Sequence, residues 1–241
     1  MAKILIIGES CRDIFVYCRA TRLCPDVPVP VLNVIYQKDN PGMAYNVYRN
    51  ICQLEQAHIV TNPDWRDLTK TRYVDEKSNQ HFVRVDSPNH INRLDVSSLR
   101  FDYDLIAISD YNKGFLTEDD IDFICSNHPN VFLDTKKPVK DFAQKAKIIK
   151  INDYEYQNSK PFLTPLLENK IIHTIGADGC NYDGKNFAVT PSEVKDASGA
   201  GDTFFAALVC DFLRHKDIYK AIAFANEKAS DVVRHKGVTT L

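Results

Sequence analysis

A chain of 241 residues, 44% hydrophobic and 26% charged, is long enough to bury a sizeable core and suits one globular domain. Its formal net charge of −2 gives no general attraction to nucleic acid or to an anionic membrane surface. Seven scattered cysteines without a C-x-x-C pair argue against a disulfide framework and a zinc site, and for a reducing compartment. The opening apolar run is too short for a secretory signal, and no stretch approaches the roughly 20 apolar residues of a membrane span, so a cytoplasmic protein is expected.

Lys3–Ile7 is an apolar run closed by Gly8, as in a buried first strand of an α/β sheet. Asp13 stands ahead of a second strand expected over Ile14–Cys18 and admits two readings, a turn residue or a carboxylate reaching a ligand hydroxyl. Pro25, Pro28 and Pro30 forbid a helix and a central strand, so Cys24–Val34 reads as an extended edge segment projecting from the body. Its exposed Val and Leu call for a cover, either a ligand or a second copy of the chain. Pro41-Gly-Met-Ala-Tyr-Asn46 then leads into a helix over Val47–Leu54. Gly42 at that helix start permits close backbone approach to a ligand, with Asn46 one turn in; standing alone, the stretch would be a plain loop-to-helix junction.

Tyr73–Asp75 and Gln80–Val85 read as paired strands around a turn, ending in Arg84-Val-Asp86. Leu105–Ile108 is a buried strand with Asp110-Tyr-Asn-Lys-Gly114 at its carboxyl end, where ligands of open α/β sheets gather. Thr117 caps a helix reaching about Ser126. Val131–Leu133 is a strand followed by Asp134, Lys136 and Lys137, and Ile148–Ile151 runs into Asn152-Asp-Tyr-Glu155. Lys170–Ile175 enters the tight turn Gly176-Ala-Asp-Gly179, and Asp183-Gly184 is a two-residue hairpin signal. Two helices, about 200–214 and 217–234, precede a last strand at Gly237–Leu241. Strands alternate with helices from Asp104 onward, which predicts a mainly parallel sheet with helices on both faces.

The stretch Asp196-Ala-Ser-Gly-Ala-Gly-Asp-Thr203 precedes the apolar run Phe204–Phe212. Small residues at Ser198–Gly201 can aim several N–H groups at one point, at the N-terminus of a buried helix, where an anion is favoured. Asp202 is a carboxylate planted inside that anion site, a conflict that makes sense if it removes a proton from a hydroxyl attacking a phosphate. The plainer alternative is a Gly-rich turn with an Asp near the N-cap.

These residues together resemble the ribokinase-like (PfkB) carbohydrate kinases, nearly end to end. Asp196–Asp202 is similar to that family's D-T-x-G-A-G-D signature, Asn152-Asp-Tyr-Glu155 to its N-x-x-E motif, and Thr174-Ile-Gly-Ala-Asp-Gly179 to its T-x-G-x-x-G nucleotide turn. Within the family, Arg22–Val31, Pro41–Asn46, Asp110–Gly114 and Leu133–Lys136 resemble the kinase half of bifunctional heptose-7-phosphate kinase/adenylyltransferases. No adenylyltransferase region follows in this sequence, so a product passed to a separate enzyme is expected.

The resemblance implies a three-layer α/β sandwich over 1–241 with a small β lid from about 13–36 and 70–86. It implies ATP and Mg²⁺ as cofactors and phosphoryl transfer to a sugar phosphate. Asp202 would be the base, with Gly199, Ala200 and Gly201 offering N–H groups to the transferred phosphoryl group. Thr174, Gly176 and Gly179 would shape the nucleotide turn, with Asn226 near the adenine. Asn152 and Glu155 would hold magnesium through water. Asp13, Gly42 and Asn46 would bind the sugar; Lys113, Lys136 and Arg84 are candidate clamps for its phosphate, with ordinary surface charge as the alternative, above all for Arg84. The lid would exclude water and serve as a homodimer interface. Against the subgroup's pattern, Glu9 replaces an Asp, Met43 replaces a Gly, and 51–69 is too short for the strand-helix unit usual there, which predicts a sheet shortened on one side. These departures keep two alternatives open: a kinase of another sugar or nucleoside, and a non-catalytic sugar-phosphate sensor.

Overall fold

Runs of apolar residues form strands here wherever both faces of a sheet are covered, and mixed sequences do so where one face meets solvent. The computed structural model describes residues 3–88, 90–189, 196–234 and 240. The expected strand at Gly237–Leu241 falls almost wholly outside them. Among the described residues no helix is long and apolar enough to cross a membrane.

The large sheet contains β1 (Lys3–Ile7), β4 (Gln56–Val60), β7 (Leu105–Asp110), β8 (Val131–Thr135), β9 (Ile148–Asn152), β10 (Ile171–Thr174), β11 (Cys180–Tyr182) and β12 (Lys185–Phe187), in the order β12-β11-β10-β9-β8-β7-β1-β4. The strands from β4 to β10 pair in parallel, and only the Asp183-Gly184 hairpin adds antiparallel pairs. Successive residues of β1 point to opposite faces, so Ile4 and Ile6 join one core and Leu5 and Ile7 the other. The first core is closed by α1 (Ala44–Ile51), α5 (Ala200–His215) and α6 (Ile218–Val232); the second includes Ile121 and Ile124 of α2 (Glu118–Asn127) and Leu167 of the short α4 (Pro165–Glu168). Helix α2 starts as its sequence predicts, on a capping box in which Thr117 and Asp120 satisfy each other's backbone N–H groups.

The small sheet is β3-β2-β5-β6, built from β2 (Ser10–Leu23), β3 (Pro30–Met43), β5 (Thr69–Asp75) and β6 (His81–Asp86). Several sequence expectations change here. The strand expected over Ile14–Cys18 extends over 14 residues, and Asp13 lies inside it rather than in a turn. The extended segment becomes the long edge strand β3, beginning only at Pro30 because prolines interrupt what precedes. Gly42 lies within β3, one residue from its end, instead of opening a helix, and α1 begins three residues before the expected Val47. The 51–69 interval does contain a strand, β4, paired along the outer edge of β1. The sheet therefore keeps a strand on that side, although no further helix separates β4 from β5.

Candidate active site

Helix α5 begins at Gly199, whose φ of 83° is a left-handed conformation that favours glycine. The Ala200 N–H turns onto the Ala197 carbonyl at 3.3 Å, whereas the Gly199 and Gly201 N–H groups have no acceptor among the described residues. Two of the three expected donors are thus available for an anion. A β-carbon on Gly201 would sit 3.3 Å from the Lys150 ammonium, so this cation lies against the start of the helix. Lys150, buried in the centre of β9, pairs with the equally buried Asp134 of β8 at 2.8 Å. Sequence reasoning placed Asp134 at the carboxyl end of its strand without giving it a role, and missed Lys150. The signal was a lone charge in the run Ile148-Ile-Lys-Ile151, since an unpaired lysine is almost never fully buried.

Asp202, in the first turn of α5, is buried and held by two donors. Asn46 of α1 donates through Nδ2 to Oδ2 at 2.9 Å, and the Tyr111 hydroxyl donates to Oδ1 at 2.6 Å. Burial pushes the Asp202 carboxyl above the usual range; the hydrogen bonds from Tyr111 and Asn46 pull it back, Asp134 adds to the rise and Lys150 opposes it. The other polar atom of the amide, Asn46 Oδ1, is buried with no hydrogen-bond partner among the described residues. A buried acceptor left empty beside a buried carboxylate is a place for a hydroxyl donor.

Tyr111 was not among the expected site residues. Two ammonium groups stand against its ring, Lys70 of β5 and Lys136, each 5.4 Å from the centroid. Glu9, the departure from the expected Asp, is fully buried and accepts the N–H groups of Tyr111 and Lys113, so it shapes this loop. Burial and the neighbouring Asp110 raise the Glu9 carboxyl.

The small sheet supplies Asp13, whose Oδ1 accepts from Arg72 at 2.6 Å. Gly42 of β3, paired with Cys11, lies diagonally across from it, and a β-carbon there would come within 2.3 Å of Asp13 Oδ2. Glycine at 42 is needed to make room for this carboxylate. Asp13 and Asp202 both act on the buried thiol of Cys11, which burial first of all pushes up to about 12. Tyr17, on the same face of β2, is raised by burial and then by Tyr36 and Asp196, which puts the small sheet within electrostatic reach of the loop before α5.

Residues 117–241 match the sequence profile of the pfkB family carbohydrate kinases. The chain belongs to that family. It is 28% identical to the bifunctional protein HldE of Hydrogenovibrio crunogenus, over 99% of this chain and 61% of that protein. It is 29% identical to the bifunctional protein HldE of Helicobacter pylori strain J99, over 98% of this chain and 64% of that protein. The chain thus spans less than two thirds of the length of these curated relatives. Among solved structures it is similar to the ribokinase of Thermotoga maritima, with a TM-score of 0.75 and 18% identity over 98% of this chain and 94% of that one. The fold is ribokinase-like. As a carbohydrate kinase of the PfkB family, the protein transfers a phosphoryl group to a sugar, and the kinase family implies ATP as its source.

The remaining motif residues take these places in the PfkB fold. Asn152 and Glu155 form a capping box at the start of α3 (Asp153–Ser159). The Glu155 carboxylate accepts from the Asn152 N–H at 2.8 Å and from its Nδ2 at 2.9 Å, and also pairs with Lys136. Burial acts against the charge of Lys136, but Asp134 and Glu155 outweigh it and raise its pKa. Lys136 is therefore already matched, which weakens its expected part as a phosphate clamp. Lys113 and Arg84 are exposed, Arg84 pairs with Asp86, and neither touches the Asp202 cluster among the described residues.

No group of three or more His, Cys, Asp or Glu side chains among the described residues forms a cage for a metal. Magnesium keeps most of its waters and takes few protein carboxylates, so one buried Glu beside the anion site suits a hydrated ion held through water. Thr174 ends β10, and Gly176 and Gly179 adopt φ of 58° and 85° around the following turn. At Gly179 a β-carbon would fall 2.0 Å from the Phe187 carbonyl oxygen. Asn226 of α6 donates to that same oxygen at 2.9 Å and lines a cleft of about 300 Å³ with Phe187, Val189, Ala223 and Arg234.

Proposed function

We propose that this chain is an ATP-dependent kinase of a sugar phosphate, with D-glycero-D-manno-heptose 7-phosphate as acceptor and its 1-hydroxyl as the nucleophile. The observation that carries the reading is Asp202, held by Asn46 and Tyr111 at the N-terminus of α5, with the unpartnered Asn46 Oδ1 beside it. The heptose assignment is supported by the motifs shared with that subgroup and by the alignment with the HldE proteins along nearly the whole chain.

In this reading the nucleotide enters the cleft lined by Asn226, and its phosphates run toward Gly199 and Gly201. The acceptor is held by Asp13 and by Asn46 Oδ1, which takes a hydrogen bond from a sugar hydroxyl. As the 1-oxygen forms its bond to the γ-phosphorus, the bond from that phosphorus to the bridging oxygen of ADP breaks. Asp202 takes the hydroxyl proton. Burial favours this step, because a carboxyl raised above its usual range is, once ionised, the better base. The Gly199 and Gly201 N–H groups and the Lys150 ammonium answer the charge on the phosphoryl oxygens; one such donor is worth about 3–4 kcal/mol in comparable sites. Magnesium, held through its waters by Asn152 and Glu155, would neutralise phosphate charge. The small sheet closes over the acceptor as a lid and excludes water. Its apolar side chains, including Val34 at 59% exposure and Val85 at 54%, are covered by the lid of a second copy.

The test is ADP release with Mg·ATP across sugar 7-, 6- and 1-phosphates and free sugars, with Asp202→Asn alongside. Turnover of the heptose 7-phosphate that the variant abolishes is the expected result. Turnover of a different sugar keeps the chemistry and discards the heptose, an outcome the Met43 departure favours. ATP binding with no turnover of any sugar replaces the kinase by a sensor.

A further inference from the structure

One cation at the site has no carboxylate to answer it. Around Asp202 the buried or half-buried ammonium and guanidinium groups are matched: Lys136 by Glu155, Lys137 by Asp110, Lys150 by Asp134 and Arg72 by Asp13. Lys70 is half-buried, and among the described residues it has no ion pair and no hydrogen bond through its ammonium group. What it has is the face of Tyr111, whose hydroxyl reaches Asp202.

Its place in the lid sheet is fixed by register. In a β-sheet, residues directly paired across strands point to the same face. Lys70 pairs with Asp13 in the parallel β2·β5 ladder, and Asp13 pairs with Asn40 in the β2·β3 ladder. Lys70 therefore projects from the same face as Asp13, the proposed sugar ligand. At the Cys11 thiol its charge opposes those of Asp13 and Asp202, so it is felt where theirs are. The Tyr111 ring is shared by Lys70 and by Lys136, whose ammonium is already neutralised by Glu155.

We infer that Lys70 is the clamp for the anionic group of the acceptor, and that it makes the site select a phosphorylated sugar over a free one. The inference rests on the kinase reading above and names a residue for its acceptor side. A neutral sugar placed between Asp13 and Asp202 leaves the ammonium unanswered, whereas a phosphate monoester carried on the same sugar supplies its counter-charge and strong acceptor oxygens. The three clamps read from sequence do not compete for this role: Lys136 is matched, and Lys113 and Arg84 stand exposed outside the cluster.

The test uses the full chain and the variants Lys70→Met, Lys70→Gln and Lys70→Arg, each first checked for an unchanged melting temperature. Steady-state kinetics with heptose 7-phosphate should show KM for the acceptor raised at least tenfold in Lys70→Met and Lys70→Gln. KM for Mg·ATP should stay within twofold, and Lys70→Arg should recover most of the loss. Calorimetric titration of the same sugar phosphate and of the free heptose into the nucleotide-free protein separates this inference from the kinase reading. Binding of the phosphate form by the wild type, lost in Lys70→Met, supports the clamp even where no turnover occurs and the kinase reading has failed. An acceptor KM and affinity unmoved by the substitution would overturn it. So would a loss that falls on ATP instead, or a wild type that binds no sugar phosphate in the panel.

Discussion

The large and small sheets of this molecule solve different problems with different sequences. Strands β1, β7 and β8 are buried along nearly their whole length, and both faces of the large sheet are sealed by extensive apolar cores. The small sheet has one buried cluster of its own, Phe15, Tyr17 and Val74, while all of β6 and much of β3 are exposed. The large sheet can hold charged groups at fixed positions because its packing leaves them no freedom, as with Lys150 and Asp134. The small sheet presents Asp13 and Lys70 on a platform whose own stability depends on what lies against it. On the proposed reading, phosphoryl chemistry would sit on the tightly packed sheet and acceptor choice on the more exposed one.

If that division is right, the largest effect belongs to the rigid side. Asp202→Asn is expected to lower the transfer rate by about 10²–10⁴-fold, measured as ADP release. Its melting temperature at pH 7 should stay at or above that of the wild type. The sign follows from the raised carboxyl: a group harder to ionise in the folded than in the unfolded protein costs stability above its unfolded pKa, and the neutral amide removes that cost.

Lys150→Met leaves Asp134 buried without its cation, which should cost about 3–5 kcal/mol in urea unfolding. Changes on the lid should instead spare the fold and act on association. Val34→Glu with Val85→Glu removes two apolar contacts worth about 1.5–3 kcal/mol each, and sedimentation velocity should find a monomer where the wild type is a dimer. A wild type that sediments as a monomer would refute the proposed interface.

The smallest effect expected is a displacement along the pH axis. The Tyr111 hydroxyl stabilises ionised Asp202, so Tyr111→Phe should raise the Asp202 pKa further. Activity needs the carboxylate, so the acidic limb of the kcat profile should move to higher pH. A limb that stays in place would show that the phenol does not act on the base.

Sequence alone reached the large sheet because a strand buried on both faces is a continuous apolar run. Lys3–Ile7 coincides with its expected bounds, and the strand expected over Leu105–Ile108 continues only through Ser109 and Asp110. Those two polar residues hid the strand's end, since Asp110 is tolerated there through Lys137, a partner 27 residues away. The small sheet was harder to read: β2 mixes Arg, Asp and Thr with apolar residues, because part of it serves a polar site and part meets solvent. An edge strand as short and mixed as Gln56–Val60 carries little signal, and β4 was missed. In the site, Asp202 was legible from its neighbours within one stretch of chain. Tyr111, Lys150 and Lys70 depend on contacts between distant segments, and their pairings follow from topology rather than from local spacing.

The position of β1 in the large sheet has a consequence for the time before the protein is complete. This strand precedes both of its neighbours in the chain, yet it lies between β4 and β7, and its anchor, Lys3 N–H to Asp104, joins residues 101 positions apart. At a synthesis rate of about 5–20 residues per second, the side of β1 that pairs with β7 waits roughly 5–20 s for its neighbour. Through that interval Ile4-Leu-Ile-Ile7 presents an open apolar edge on the nascent chain, a template for pairing with the wrong strand. The yield of folded protein should therefore be sensitive to the pace of translation between β1 and β7, and to chaperones that shield a short hydrophobic segment during it.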